Sequence, residues 1–116
     1  MNAMTDSDLE LAQKFEKGDG VEVDMRKAFE HYLKSAKNGN ADAMSKVAEC
    51  YANGQGITQD RMKAVEWYLK AANNGFALAM NKIGKCYLEG RGVAQDMTKA
   101  HEWYLKSAEW KCSCNV

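Results

Sequence analysis

The sequence predicts an all-α protein, an α-solenoid built from three helix pairs, and three observations support this prediction. The chain matches itself at a spacing of 36 residues, and a fixed period of about 20 to 50 residues indicates a repeat array. Apolar side chains recur at helical spacing within each copy. The sequence contains no proline, so no residue predicts a kink within these helices.

The copies follow one another in phase and predict a single domain, residues 1–116. The phase places the repeats at approximately 5–40, 41–76 and 77–112, with a short C-terminal tail at 113–116. Each copy closes with one of the related strings HYLKSA, WYLKAA and WYLKSA. The residues that recur before these strings are Gly18, Gly54 and Gly90; Gly20, Gly56 and Gly92; Asp24, Asp60 and Asp96; and Lys27-Ala28, Lys63-Ala64 and Lys99-Ala100.

The first helix of each copy is predicted from an apolar stripe with the period of an α-helix. In the second and third copies the stripe consists of Ala43, Met44, Val47, Ala48 and Tyr51, and of Ala79, Met80, Ile83, Gly84 and Tyr87. The first copy carries a weaker version in Leu11, Ala12 and Phe15. The glycine and alanine positions predict that a neighbouring helix approaches closely.

The second helix of each copy carries a matching stripe, again with bulky and small residues in alternation. Its members are Ala64, Trp67, Tyr68, Ala71 and Ala72 in the second copy, and Ala100, Trp103, Tyr104, Ser107 and Ala108 in the third. Small residues let a neighbouring backbone approach while aromatic rings fill the next gap. The aromatic residues of both helices are therefore predicted to belong to the core.

The loop between the two helices, GRGVAQD in the third copy, looks like a phosphate-binding loop but is predicted to be scaffold. A nucleotide loop needs a strand before the glycines and a third glycine, or a GK[ST] ending, after them, and neither is present. Gly90 is predicted to end the first helix in a left-handed conformation, and Asp96 to cap the second helix. Gly92 lets the chain turn back. One apolar residue per loop is expected to tuck inward, namely Val21, Ile57 or Val93.

Composition limits the classes of function. Sixteen basic and sixteen acidic residues cancel, which argues against a nucleic-acid partner because such proteins normally carry a basic excess. No apolar run approaches the roughly 18 residues of a membrane span. The start MNAMTDSDLE lacks the basic and apolar regions of a secretory signal. A cytoplasmic protein that binds neither a membrane nor a cofactor is expected.

Nearly the whole chain resembles the Sel-one-like repeat family, which is related to the tetratricopeptide repeat. The second copy carries the pattern Ala43, Val47-Ala48, Tyr51, Gly54, Gly56-Ile57, Asp60, Lys63-Ala64, Trp67-Tyr68, Lys70-Ala71-Ala72 and Gly75. Residues 77–108 match equally well and include the first-helix glycine, Gly84. Residues 5–40 match more loosely, because Phe15 replaces the tyrosine and His31 the tryptophan.

The resemblance implies antiparallel helix pairs stacked in a right-handed superhelix, with a concave face lined by the first helices. It also implies that the protein holds other proteins, without naming the partner. The chain departs from the cysteine-rich, exported branch of the family, in which a disulfide joins successive helix pairs. The ends of the second helices hold Ala36, Ala72 and Ala108. The enzymatic activity claimed for that branch is therefore not transferred.

No catalytic or metal-binding arrangement emerges from the remaining residues. Cys50 and Cys86 occupy equivalent positions on stacked helices about 8–10 Å apart, which is too far for a disulfide, so both are predicted to be buried thiols. Cys112 and Cys114 form a lone C-x-C without a second ligand pair, so no zinc site is predicted. His31 is expected to fill the tryptophan position of its stripe. The chain is therefore predicted not to be an enzyme.

Three Glu-Lys pairs recur at a spacing of four residues in the second helices. This order favours pairing by about 0.2–0.5 kcal/mol on a helix surface. Because they recur in every copy, we interpret them as a solvated outer face and not as acid–base machinery. The pairs are Glu30-Lys34, Glu66-Lys70 and Glu102-Lys106.

The predicted partner-binding surface consists of first-helix positions that lie off the apolar stripe. These positions differ between copies, as expected for a recognition surface on a constant scaffold, and their mixed polar chemistry suits a peptide or a protein surface. They are Gln13 and Glu16; Ser45, Glu49 and Asn53; and Asn81, Lys85, Leu88 and Glu89, with Ala52 as a small apolar contact.

A second candidate surface lies at the C-terminal end, where the last helix pair has no following helix and EWKCSCNV is a short substitute for one. Tyr104, Ala108 and Trp110 are expected to be partly exposed there and to favour self-association. We therefore predict a small adaptor or stoichiometric inhibitor that captures a protein or peptide on its concave face. The alternatives are an end-to-end oligomerising unit and, third, a hydrolase, for which only Ser45 and the tail thiols offer nucleophiles.

Overall fold

Six α-helices make up the chain in the computed structural model, which describes the backbone of residues 7–115 and the side chains of residues 7–109. Their bounds are Ser7–Lys17 (α1), Met25–Lys37 (α2), Ala41–Asn53 (α3), Arg61–Asn73 (α4), Ala77–Glu89 (α5) and Met97–Asn115 (α6). The all-α prediction is confirmed, with two helices in each repeat. Residues 113–115, assigned to a tail from the sequence, continue α6.

Each helix packs against its neighbours in chain order. Contacts join α1 to α2, α3 to α4 and α5 to α6 within the repeats, and α2 to α3 and α4 to α5 between them. This consecutive packing is typical of a solenoid. It also places α4 between α3 and α5, which matters for the site described below.

Small residues at the helix contacts confirm the predicted alternation of bulky and small side chains. Ala28, Ala64 and Ala100 occupy one recurring position and are at most 2% exposed. In the third repeat, a Cβ atom on Gly84 would lie 3.1 Å from the Tyr104 ring. The glycine therefore lets α5 and α6 approach more closely than an alanine would, while larger side chains fill the spaces between repeats.

Helix caps hold each loop in place as predicted. The carboxylate at the start of each second helix accepts a hydrogen bond from a backbone N–H three residues later. The three bonds join Asp24 to Lys27 at 3.1 Å, Asp60 to Lys63 at 3.1 Å and Asp96 to Lys99 at 3.0 Å. Gly90 ends α5 in the left-handed region at φ 70°, so its predicted role as a C-cap is confirmed.

Gly92 does more than let the chain turn. Its φ is 77°, and a Cβ atom there would collide with the carbonyl oxygen of Arg61 at the start of α4 in the preceding repeat. Gly56 lies in the same way against the carbonyl of Met25. Gly20 has no neighbour within 4 Å of its would-be Cβ atom. Gly56 and Gly92 therefore form backbone contacts between successive repeats.

One expectation about side chains is wrong, and another holds only in part. Val21 is 41% exposed, because no helix among the described residues packs against the first loop from the α1 side, whereas Ile57 is partly buried against the core. The Glu-Lys positions of the second helices are all exposed, as expected for a solvated outer face, but the expected ion pairs do not form, since the two ion pairs among the described residues involve other side chains. The ammonium groups of Lys70 and Lys106 instead lie over the indole rings of neighbouring tryptophans.

The recurring lysines are explained by these aromatic contacts. Nζ of Lys70 lies 4.3 Å from the Trp67 ring centre, and Nζ of Lys106 lies 4.5 Å from that of Trp103. An ammonium group within about 6 Å of a ring centre is attracted to its face. A second set sits 5.5 to 5.8 Å over the first-helix rings, pairing Lys27 with Phe15, Lys63 with Tyr51 and Lys99 with Tyr87.

Replacing Asp60 by alanine should lower the free energy of unfolding by about 1 kcal/mol, because the N–H of Lys63 loses its capping partner. Urea denaturation followed by circular dichroism measures this loss. Asp60→Asn is the matched control, since asparagine caps about as well and should retain most of the stability. Equal stability of the alanine and wild-type proteins would show that the cap has no energetic role.

Replacing Gly92 by alanine should destabilise the protein more than the same change at Gly20. Both glycines have positive φ, so both changes carry the roughly 1–2 kcal/mol cost of a left-handed alanine. Only at Gly92 must the chain also move away from Arg61, which adds about 1–3 kcal/mol. Urea denaturation of the two variants measures the difference, and equal losses would contradict the inter-repeat contact.

Candidate functional site: a cleft between α3 and α5

A cleft of about 330 Å³ opens between α3 and α5, with α4 at its base. Hereafter called the α3–α5 cleft, it crosses the boundary between the second and third repeats. Its lining residues are Glu49, Ala52 and Asn53 of α3; Arg61, Ala64 and Tyr68 of α4; Lys82, Lys85, Cys86 and Glu89 of α5; and Arg91.

The charged groups of the α3–α5 cleft are predominantly basic. Four basic side chains and two carboxylates line it. Nε of Arg91 lies 2.8 Å from Oε1 of Glu89, and this exposed ion pair neutralises one charge of each sign. The remaining charges are three cations, Arg61, Lys82 and Lys85, against the carboxylate of Glu49. The cleft therefore attracts negatively charged groups.

Two neutral polar groups lie deeper in the cleft. Tyr68 is 5% exposed, and burial, reinforced by the negative charge of Glu49, raises the pKa of its hydroxyl. Desolvation also raises the pKa of the Cys86 thiol, although nearby Arg91 opposes the shift. Both groups are therefore protonated at neutral pH, and the Tyr68 hydroxyl can act as a hydrogen-bond donor.

The structure brings four of the nine predicted groove residues together. Glu49, Asn53, Lys85 and Glu89 all line the α3–α5 cleft. Ala52, expected as a small apolar contact, lies among them.

Six further lining residues were not predicted. The groove was predicted from first-helix positions, whereas three of these residues lie on α4 and one lies in the loop after α5; the other two lie on α5 itself. They are Arg61, Ala64, Tyr68, Arg91, Lys82 and Cys86. One signal was available for Arg61, because the equivalent positions in the other copies hold Met25 and Met97. A residue that changes type between otherwise matching copies is a candidate for recognition at any point of the repeat.

Two predicted groove residues are withdrawn from an open surface, one by burial and the other by a hydrogen bond within the first repeat. Ser45 is 2% exposed, so it does not contribute to an accessible surface. Its Oγ atom has no hydrogen-bond partner among the described residues. Glu16 accepts a hydrogen bond from the Tyr32 hydroxyl through Oε1, which ties α1 to α2.

The other three predicted residues lie outside the α3–α5 cleft. Asn81 and Leu88 are partly buried on α5, and the carbonyl of Leu88 accepts a hydrogen bond from the Gln95 side chain at 2.8 Å. Gln13 lines a smaller depression beside Glu10 and Lys14 on α1. The predicted groove is therefore concentrated at the junction of the second and third repeats.

The predicted open end exposes residues whose counterparts are buried. Tyr104 is 37% exposed, whereas the equivalent Tyr68 is 5% exposed beneath α5. Ala108 is also exposed, while its counterpart Ala72 is 4% exposed. The side chain of Trp110 lies outside the described residues. The exposed face of α6 therefore carries the residue types that are buried at the equivalent positions of the second repeat.

The prediction that the cysteines are buried, free thiols can be checked against the structure at Cys50 and Cys86. Cys50 is a free, buried thiol, and burial raises its pKa to about 11. Cys86 is free and partly exposed, so the prediction that it is buried holds only in part. The side chains of Cys112 and Cys114 lie outside the described residues. Within the described part of the chain, no helix meets the length and hydropathy required to cross a membrane.

The buried tyrosines predict a loss of stability in alkaline solution. The pKa of Tyr68 is raised in the folded state, so only the unfolded chain ionises it just above the ordinary value of 10.0. The contribution of Tyr68 to stability is unaffected below pH 10 and falls above it, by about 1.4 kcal/mol per pH unit for each such tyrosine. Tyr68→Phe should reduce this slope, as measured by urea denaturation between pH 9 and about 11.5. Tyr104→Phe is the matched control, and equal slopes for both variants would contradict the assignment.

Solved structures place this chain among known repeat proteins. It superimposes on c5321, a protective antigen of uropathogenic Escherichia coli with an SLR fold, at a TM-score of 0.85 and 31% identity. A Sel1 repeat protein of Oxalobacter formigenes matches at a TM-score of 0.84 and 35% identity. These matches cover 90% and 89% of this chain, but 23% and 42% of the respective relatives.

A third structure, cysteine-rich protein B of Helicobacter pylori, shares the fold at a TM-score of 0.75 and 19% identity, over 90% of this chain and 81% of that one. No curated protein sequence matches the chain. The family model of the Sel1 repeat matches three times, at residues 6–40, 41–76 and 77–109. Together with the six stacked helices, these matches show that the chain belongs to the Sel1 (Sel-one-like) repeat family.

Proposed function

We propose that this protein is a binding module that holds a peptide segment of a partner protein in the α3–α5 cleft, as an adaptor or stoichiometric inhibitor. Sel1 repeats commonly mediate protein interactions. The observation that carries the proposal is the variation of cleft residues on a repeated scaffold. Glu49 is equivalent to Lys85, and Asn53 to Glu89, although the surrounding alanines, capping aspartates and loop glycines are shared between these copies.

The shape and polarity of the cleft support a peptide ligand. The space lies between two helices and has a volume of about 330 Å³, which suits one or two side chains of a partner. Its walls carry charged and amide groups, and the ring of Tyr68 provides apolar area near its base. Such a combination favours specific contacts with a polar peptide.

The surroundings of Ser45, Cys86 and His31 support a function without catalysis; the side chains of the other candidate nucleophiles, Cys112 and Cys114, lie outside the described residues. Ser45 is buried, and the raised pKa of Cys86 disfavours the reactive thiolate. His31 stacks on Phe15 and lies 3.1 Å from Oδ1 of Asp8, so it is part of the scaffold. The free thiols of Cys50 and Cys86 suit a reducing compartment, and we propose the cytoplasm.

A second candidate function is end-to-end assembly through the exposed face of α6. The observation that favours it is the exposure of Tyr104 at a position that is buried in the preceding repeat. In this case Tyr104→Ala should change the oligomeric state, which light scattering after size-exclusion chromatography measures. Changes in the α3–α5 cleft should leave the oligomeric state unaltered.

Reversing the charges of the cleft with the double change Glu49→Lys and Lys85→Glu should reduce partner capture by about tenfold or more, since paired charges at an interface become repulsive. A pull-down from native lysate at near-physiological salt, with mass spectrometry, measures the recovery of each protein. Circular dichroism should show an unchanged helical fold.

The matched control is Glu30→Lys with Lys34→Glu, which makes the same exchange on the exposed face of α2 and should retain the partner. Equal recovery by the cleft variant and the wild type would refute the cleft as the binding site. Recovery of this chain alone in every case would favour assembly over capture.

A further inference from the structure

The first repeat contains an internal carboxylate–tyrosine contact. The Tyr32 hydroxyl on α2 donates a hydrogen bond to Oε1 of Glu16 on α1. Tyr32 is only 1% exposed, and its helix α2 packs against α3 as well as α1. Hydrogen bonds to a charged carboxylate are stronger than those between neutral groups. The fold therefore accommodates a carboxylate against this tyrosine.

The second repeat keeps the tyrosine and lacks the carboxylate. Tyr68 is equivalent to Tyr32, but the position equivalent to Glu16 is occupied by Ala52. Tyr68 and Ala52 both line the α3–α5 cleft. No described residue accepts a hydrogen bond from the Tyr68 hydroxyl, and its pKa is raised without the hydrogen-bond contribution that acts on Tyr32. The shorter alanine leaves space in front of a donor.

The charges around this space favour an anion. Arg61, Lys82 and Lys85 line the cleft without a recorded ion pair among the described residues. Glu49 opposes an incoming anion, since its charge acts on Tyr68, but it is outnumbered by the three cations. In a cleft bordered by protein, such an excess raises the local concentration of anionic groups.

We infer that the α3–α5 cleft contains a subsite for the side-chain carboxylate of a glutamate or aspartate in the partner peptide. The ligand carboxylate accepts a hydrogen bond from Tyr68, in the place that the Glu16 carboxylate takes against Tyr32. The surrounding cations neutralise its charge. This inference rests on the proposed function and specifies the chemistry of the peptide that is bound.

Short peptides with blocked ends provide the first test. The acidic probe is acetyl-Gly-Glu-Gly-Glu-Gly-amide, and the neutral control replaces each glutamate by glutamine. A third peptide contains glutamine and ends in a free carboxylate, which separates a side-chain ligand from a chain terminus. Titration into the isotope-labelled protein at low salt, followed by backbone amide NMR, should show saturable shifts around Ala52, Tyr68 and Lys85 for the acidic probe, weakening at high salt.

Variants of this chain test the geometry of the subsite. Ala52→Glu installs the carboxylate that the first repeat already has, so it should occupy Tyr68 internally and weaken the acidic probe by tenfold or more. Ala94→Glu adds the same charge at an exposed position outside the cleft and should bind almost as the wild type does. Tyr68→Phe keeps the ring but removes the donor, and should weaken binding by about tenfold.

Several outcomes would overturn the inference. These are equal binding of the acidic and neutral probes, tighter binding of the free-terminus peptide, or unchanged affinity in both Ala52→Glu and Tyr68→Phe. Amide spectra of each variant establish that it is folded, so a loss of structure is recognised. If the peptide titrations fail but the Glu49→Lys, Lys85→Glu variant still loses the partner in the pull-down, only the carboxylate subsite is ruled out. If that variant captures the partner as well as the wild type does, the proposed function itself is ruled out.

Discussion

The close approach of backbone to backbone between successive repeats is the contact on which the arrangement of this protein depends. In each of the last two repeats a loop glycine lies against the carbonyl group at the start of the preceding second helix. Any side chain at Gly56 or Gly92 would separate the repeats. The same contact brings Arg61 and Arg91 to one end of the α3–α5 cleft, so the stacking geometry and the charge of the cleft have a common origin.

Three equivalent tyrosines show how one scaffold position takes on different roles. Tyr32 is bonded to Glu16, Tyr68 lies at the base of the cleft opposite Ala52, and Tyr104 is partly exposed on the last helix. The residue type is constant while the surroundings change. The difference lies in the first-helix neighbour and in whether a further helix covers the ring.

Local features of the fold could be predicted from the sequence because they depend on neighbours in the chain. The cap at Asp96 and the left-handed Gly90 are examples, since helix ends have few solutions that satisfy the backbone. The contents of the cleft were only half predictable. Arg61 and Tyr68 belong to the second helix, and their part in the site depends on how α3 and α5 flank α4.

The contacts of the long polar side chains could not be predicted from their spacing in the sequence either. Glu66 and Lys70 have the spacing of a helical ion pair, yet Lys70 lies over the Trp67 ring. A half-buried indole offers both apolar contact for the lysine stem and attraction for its charge. Whether a ring is accessible on that side is a property of the packed structure. Exposed ion pairs, by comparison, contribute little.

The contact at position 61 has an evolutionary consequence. Gly92 meets the main-chain carbonyl of Arg61, and a carbonyl is the same whichever side chain is attached to it. The equivalent positions hold methionine in the other two repeats. A single codon change there alters the charge at the α3–α5 cleft while the repeats remain stacked as before. Under the proposed function, ligand specificity in this array can therefore diverge, one repeat at a time, without a compensating change in the scaffold.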